Sequence, residues 1–199
     1  MGVQLLGVVL IFLSVGLTLQ TGKHCNCVKR HPQDEYSSSK IVILADVTGK
    51  RLPVKNQHNL VRYKIKIIKV LKGSINAHKT QYVFTDSSSC GIKLAHGRYV
   101  LSAIQLNYGI KTMKCDIVKQ WEHLSLTERE NYSQTYKLGG NCTISTCSDS
   151  PCCPQSENEC KWDANSPDAL EYVCLRDSDN YCSWYWPASR VEEDEACLE

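Results

Sequence analysis

Hydrophobic and polar positions alternate with two different periods along this chain. KIVILADV (residues 40–47) is a nearly unbroken β-branched run, and in VRYKIKIIKVLKG (61–73) Tyr63, Ile65 and Ile67 alternate with Arg62, Lys64 and Lys66. A two-residue period puts one set of side chains in a core and the other in water, so both segments are predicted strands. QYVFT (81–85) and RYVLSAIQL (98–106) continue the series. Short strands separated by turn signals predict a small antiparallel barrel or sandwich. The period then lengthens in SLTERENYSQTYKL (125–138), which opens with Ser125 and Glu128 at capping-box spacing, so a helix is expected beside the barrel. From Cys142 onward little sustained period remains.

The cysteines explain that loss of pattern. Eight of the twelve lie between Cys142 and Cys197, as expected of a small domain in which disulfides substitute for a large core. Charge divides the chain at the same place. Residues 1–141 carry 20 Lys and Arg against 8 Asp and Glu, a balance of +12, whereas residues 142–199 carry 3 against 13, a balance of −10. The change falls at KLGGNC, where Gly139 and Gly140 suit a turn between packed units. Domains are therefore expected at 25–140 and 141–199.

Residues 1–22 contain no charge, and the apolar run Leu5 to Leu13 is too short for a permanent membrane span. Residues 1–24 read as a secretory signal with a possible short extension. All twelve cysteines follow it, and a secretory route oxidises such an even set. A secreted, extracellular protein is expected, without a membrane span and without nucleic acid as a partner. No H-E-x-x-H, G-x-S-x-G or P-loop motif is present, which argues against an enzyme.

CNCVKRHPQ at Cys25, RYKIKIIKVLKG, SCG at 89–91, WEHLSLTERE at Trp121 and the cysteine spacing from Cys142 to Tyr185 together resemble the tissue inhibitors of metalloproteinases. The resemblance implies a mainly β fold with a flanking helix: an OB-type, netrin-like five-stranded barrel followed by a small disulfide-rich C-terminal subdomain. It also implies the pairs Cys25–Cys90, Cys27–Cys115, Cys142–Cys182, Cys147–Cys152 and Cys160–Cys174. Cys153 and Cys197 have no family counterpart and are left to pair with each other or with another chain. A further family bridge is missing here, its two positions falling on Ser37 and Gly140, so a looser first domain is expected.

The family's inhibitory act gives Cys25 its chemistry. A catalytic zinc keeps an open position for water, and the α-amino group and carbonyl of an N-terminal cysteine can displace that water as a five-membered chelate. The zinc belongs to the target protease; no cofactor of the chain's own is expected. The resemblance makes Cys25, Asn26, Cys27, Val28, Ser88, Ser89, Cys90 and Gly91 the protease-binding residues, with Asn26 directed at the S1′ pocket. Asn26 departs from the family's usual small hydroxyl residue, and Lys29 replaces a usual proline, which makes this edge less stiff. His31 is expected to be a hydrogen-bonded scaffold residue rather than a metal ligand.

Two readings stay open because the chelate needs a free amine. Cleavage before Cys25 would place His24 and Gly22 at the positions where signal peptidase prefers small residues, whereas cuts after Gly16 or Gly22 suit it better and leave Cys25 blocked. The favoured reading is a zinc metalloproteinase inhibitor; the alternative is a non-inhibitory extracellular-matrix or receptor-binding protein on the same fold. Lys50, Arg51, Lys64, Lys66, Lys69 and Lys72 are a candidate face for sulfated matrix polysaccharide, or simply a solvated strand. The acidic tail VEEDEACLE is either a dock for a basic protease domain or a solvated end. Asn131 and Asn141 stand in glycosylation sequons, with Asn131 preferred because Cys142 should soon be locked in a disulfide.

Overall fold

The computed structural model describes residues 25–75, 81–147, 152–166 and 170–186. The leader, its cleavage sites, the acidic tail and Cys197 lie outside the described residues. Seven strands form the first sheet: β1 (Ile41–Val47), β2 (Leu52–Val54), β3 (Gln57–Lys72), β4 (Tyr82–Asp86), β5 (Gly97–Leu106), β6 (Gly109–Lys111) and β7 (Val118–Gln120). Five of them run β1-β3-β4-β6-β5, and β5 returns to pair with β1 and close a barrel. All these pairings are antiparallel except β4 with β6. The expected five-stranded barrel is present.

The β-branched run of β1 is nearly continuous because both of its faces are covered. Ile41, Ile43, Ala45 and Val47 point into the barrel with Tyr63, Ile65, Val83, Leu101 and Ile110. Val42 and Leu44 face outward into a second core with Tyr36, Leu71, Val100, Tyr132 and Tyr136. Alternation survives in β3, where Tyr63 and Ile65 are buried and Lys64 and Lys66 exposed.

Two helices cap this outer core. The expected one, α2 (Leu126–Ser133), carries both arms of the capping box: Glu128 N donates to Ser125 Oγ at 3.1 Å and Ser125 N to Glu128 Oε2 at 2.8 Å. It ends at Ser133, five residues short of the segment's apolar end, and Thr135–Lys137 forms a 3-10 turn that turns Tyr136 into the core. The other helix, α1 (Pro32–Ser38), was not foreseen. Its signals are present: His31 is the N-cap, Pro32 stands in the first turn, and Asp34 and Glu35 complement the helix dipole.

The C-terminal region holds β8 (Thr143–Thr146) parallel to β9 (Glu159–Trp162), and β10 (Val173–Arg176) antiparallel to β11 (Cys182–Tyr185). Cys160, Cys174 and Cys182 are buried at its centre, so disulfide sulfur fills a core that aliphatic side chains would otherwise occupy. This region joins the outer core of the barrel through Val173. The Gln33 amide makes a paired contact across the junction, donating to Cys174 O at 2.7 Å and accepting from Cys174 N at 2.8 Å. A Cβ on Gly139 would lie 1.8 Å from Gln33 Nε2 and 2.6 Å from Cys174 O, so glycine here permits a close approach.

Candidate functional site

Residues 25–31 are a strap without helix or strand, tied to one end of the barrel by two disulfides. Cys25 is bonded to Cys90 in the β4–β5 loop and Cys27 to Cys115 in the segment after β6. The two bridges lie side by side, with Cys25 Sγ 3.8 Å from Cys115 Sγ. Their loops are also joined directly, since Lys114 N donates to Cys90 O at 2.9 Å. Cys25 is half-buried, whereas Asn26, Cys27 and Val28 are exposed, Val28 to 83%.

The β4–β5 loop is shaped before anything binds it. Gly91 N donates to Ser88 O at 3.0 Å, and Ile92 N donates to the buried Thr85 Oγ1 at 3.0 Å. A Cβ on Gly91 would stand 1.7 Å from Asp86 O, so the turn requires glycine for space rather than for an unusual φ. Ser88 and Ser89 consequently project into solvent beside the Cys25 bridge. They border an open hollow of about 500 Å³ whose floor includes Ile92 and Val118 and whose rim includes Lys93 and Lys114. The disulfides thus bring Cys25, Asn26, Cys27 and Val28 to the same edge as Ser88, Ser89, Cys90 and Gly91.

Sulfur at this edge is not available to a metal. Cys25, Cys27 and Cys115 have sulfurs within 4.8 Å of one another, as do Cys142, Cys174 and Cys182, but each is in a disulfide and offers no thiolate. What Cys25 leaves unengaged by the bridge is its main chain, a nitrogen and a carbonyl. His31 is 1% exposed, and its Nδ1 accepts from Gln33 N at 3.2 Å while its ring contacts Trp162 and Trp184. It is the scaffold residue expected.

Arg30 of the strap belongs to a small charged network. Burial pushes the Glu35 carboxyl up; Lys119 and Arg30 oppose that rise, and Asp34 and Asp116 add to it. Burial also raises Asp116, against its hydrogen bond from Met113 N and the charge of Arg30. Arg30 reaches back to α1, donating to Ser38 Oγ at 3.1 Å.

All five disulfides implied by the family resemblance are formed. Cys153 is disulfide-bonded as well. At the position of the missing family bridge, Lys72 Nζ donates to Tyr36 O at 2.9 Å and to Ser37 O at 2.6 Å, tying the end of α1 to β3. That use removes Lys72 from the basic face, and burial lowers its pKa. Lys64, Lys66 and Lys69 remain exposed on β3, with Lys50 and Arg51 exposed nearby in sequence from Thr48, whose N–H donates to Lys64 O.

The preference for Asn131 as a glycan site is corrected by its burial. Asn131 is 0% exposed and its Nδ2 donates to Glu171 O at 3.2 Å, so a glycan on that nitrogen is incompatible with this packing. Asn141 is exposed and is the accessible sequon. Sequence reasoning also missed the roles of Gln33 and of Lys29, whose partners lie more than a hundred residues away.

A family model described as tissue inhibitor of metalloproteinase matches residues 23–184. Metalloproteinase inhibitor 3 of Scyliorhinus torazame is 32% identical over 187 residues, covering 88% of this chain and 87% of that protein. Metalloproteinase inhibitor 4 of Mus musculus is 36% identical over 183 residues, covering 82% and 81%. Metalloproteinase inhibitor 3 of Xenopus laevis is 32% identical over 192 residues, covering 91% and 89%.

Proposed function

We propose, from the premise that this chain belongs to the tissue inhibitor of metalloproteinase family, that it acts by placing the free amine and carbonyl of Cys25 on a target protease's catalytic zinc. The chain is a metalloproteinase inhibitor and not an enzyme. The observation that carries the mechanism is the pair of adjacent disulfides, which hold Cys25 and Cys27 while Asn26 and Val28 stay in solvent. A donor held in place loses little freedom on binding, so more of the contact energy appears as affinity. Asn26 enters the pocket beside the zinc, and Ser88 to Gly91 make the second contact. The target's zinc would otherwise activate a bound water as the nucleophile, and the Cys25 amine and carbonyl would take the place of that water. Secretion is supported by the leader and by the disulfides, and no described helix is long and apolar enough to cross a membrane.

The test uses protein whose N-terminus has been sequenced and shown to be Cys25. One alanine added ahead of Cys25, or acetylation of its amine, should abolish inhibition with the disulfides intact, because an amide nitrogen has no lone pair to give. Inhibition should also weaken as pH falls below the ordinary α-amine pKa of about 7.7 to 8.0, after correction for the protease's own titration. Undiminished inhibition by the extended protein would rule out chelation. If secreted protein retains residues ahead of Cys25, its nitrogen is an amide and inhibition must proceed without the Cys25 chelate.

Retention on sulfated polysaccharide is a second proposal, favoured by Lys64 and Lys66 projecting from one face of β3. Binding to heparin should fall steeply with salt, by analogy with counterion release from nucleic acids, and Lys64→Gln with Lys66→Gln should reduce that slope. Salt-independent binding, or none at low salt, would exclude it.

A further inference from the structure

Lys29 stands exposed in the strap immediately after Val28, but its ammonium is not free in solvent. Its Nζ donates to Ala164 O, and its ammonium lies 5.7 Å from the centroid of the Trp162 ring. Both partners belong to the C-terminal subdomain, 133 and 135 residues further along the chain.

The receiving end is built on packed and hydrogen-bonded structure. Trp162 is 3% exposed at the end of β9, two residues from the Cys160–Cys174 bridge, and His31 meets its ring edge-on at 5.5 Å. The turn that carries Ala164 is closed by Asn165 N donating to Asp163 Oδ1 at 2.8 Å and Ser166 N to Asp163 O at 3.2 Å. Arg30, the next residue, is tied instead to α1 through Ser38 and Asp34. The strap therefore leaves the Cys27–Cys115 bridge and is gripped at once from the C-terminal side.

We propose that Lys29 is a positioning residue for inhibition, which steadies the Cys25 to Val28 edge against Trp162 and Ala164 and so makes the C-terminal subdomain part of the inhibitory device. The inference rests on the zinc-chelating reading. Its physical content is that a strap free to pivot after Cys27 must be ordered on binding, and an ammonium held by a ring face and a carbonyl removes that cost beforehand.

The test is a double-mutant cycle in the full chain with verified Cys25. Lys29→Met keeps the stem and removes the charge; Trp162→Phe leaves a smaller, weaker ring. Each should weaken inhibition of a zinc metalloproteinase about threefold to tenfold, mainly through faster dissociation, and the double variant should be no weaker than the worse single one. Lys29→Arg should restore most of the affinity. Hydrogen exchange in the free protein should quicken in the strap and in the 162–166 turn together for Lys29→Met, a readout independent of inhibition and of whether Trp162→Phe folds well. If Lys29→Met and Lys29→Arg both inhibit like the parent while the alanine extension abolishes inhibition, the Lys29 tie is wrong and chelation stands. Additive effects of the two substitutions would also overturn the tie. If the alanine extension itself leaves inhibition intact, the zinc reading fails and this inference with it.

Discussion

Glu35 shows how a single carboxyl can report on the seat of the strap. Its folded-state pKa is raised, first by burial, so it binds a proton more tightly folded than unfolded. The sign follows from linkage: its contribution to stability is present below the ordinary carboxylate pKa and is lost as pH rises through the raised value. Glu35→Gln stays neutral and avoids that loss, although Asp116, also raised by burial, still contributes its own. The melting-temperature advantage of Glu35→Gln over the parent should therefore grow from pH 4 toward pH 7. A difference that stays flat over that range would show that Glu35 is solvated. Gly91 is the second residue whose change is informative. A methyl group there meets Asp86 O at 1.7 Å, so Gly91→Ala must open the β4–β5 loop. Urea unfolding should show a loss of about 1 to 3 kcal/mol, accompanied by weaker inhibition because Ser88 and Ser89 move.

At the scale of elements, local pattern and local chemistry were read well where a period or a cap spans a few residues. The strands at 40–47 and 61–73 and the capped start of α2 follow from spacing alone, because a side chain's face is set by the backbone repeat. Helix α1 was legible in principle from His31, Pro32, Asp34 and Glu35, but seven residues are too few to display a helical period. The short strands β8 to β11 escaped for the same reason, at four residues each. The junction of α1 with β10 depends on Gln33, whose amide satisfies both backbone groups of Cys174. Gln33→Leu fills similar volume and leaves that buried N–H and C=O unpaired, so it should cost about 2 to 4 kcal/mol in urea unfolding. A cost below about 0.5 kcal/mol would mean that water replaces the amide.

For the whole molecule the question is how independent the two halves are. The barrel's inner core is drawn from residues 41–118, and on that ground we propose that the expected domain at 25–140 folds by itself. The outer core nevertheless includes Val173, and Lys29, Gln33 and Asn131 all reach residues beyond 160. A chain ending at residue 140 should fold, melt several degrees lower, and inhibit less tightly by about the factor lost in Lys29→Met. Full parental affinity in that truncation would place the whole inhibitory device in the first domain. The sequence by itself determined the long strands of the barrel, their buried faces, the capped helix and the charge asymmetry; with the family resemblance it also led to the five cysteine pairs and the proposed inhibitory edge. These are properties of spacing, which the backbone repeat converts directly into a face. Only the tertiary structure decided that Asn131 turns its sequon inward, that Lys72 ties α1 where a bridge is missing, and that Lys29 ends on Trp162. Each of those depends on how separate elements stack, and residues 35 or more positions apart carry no local signal of meeting.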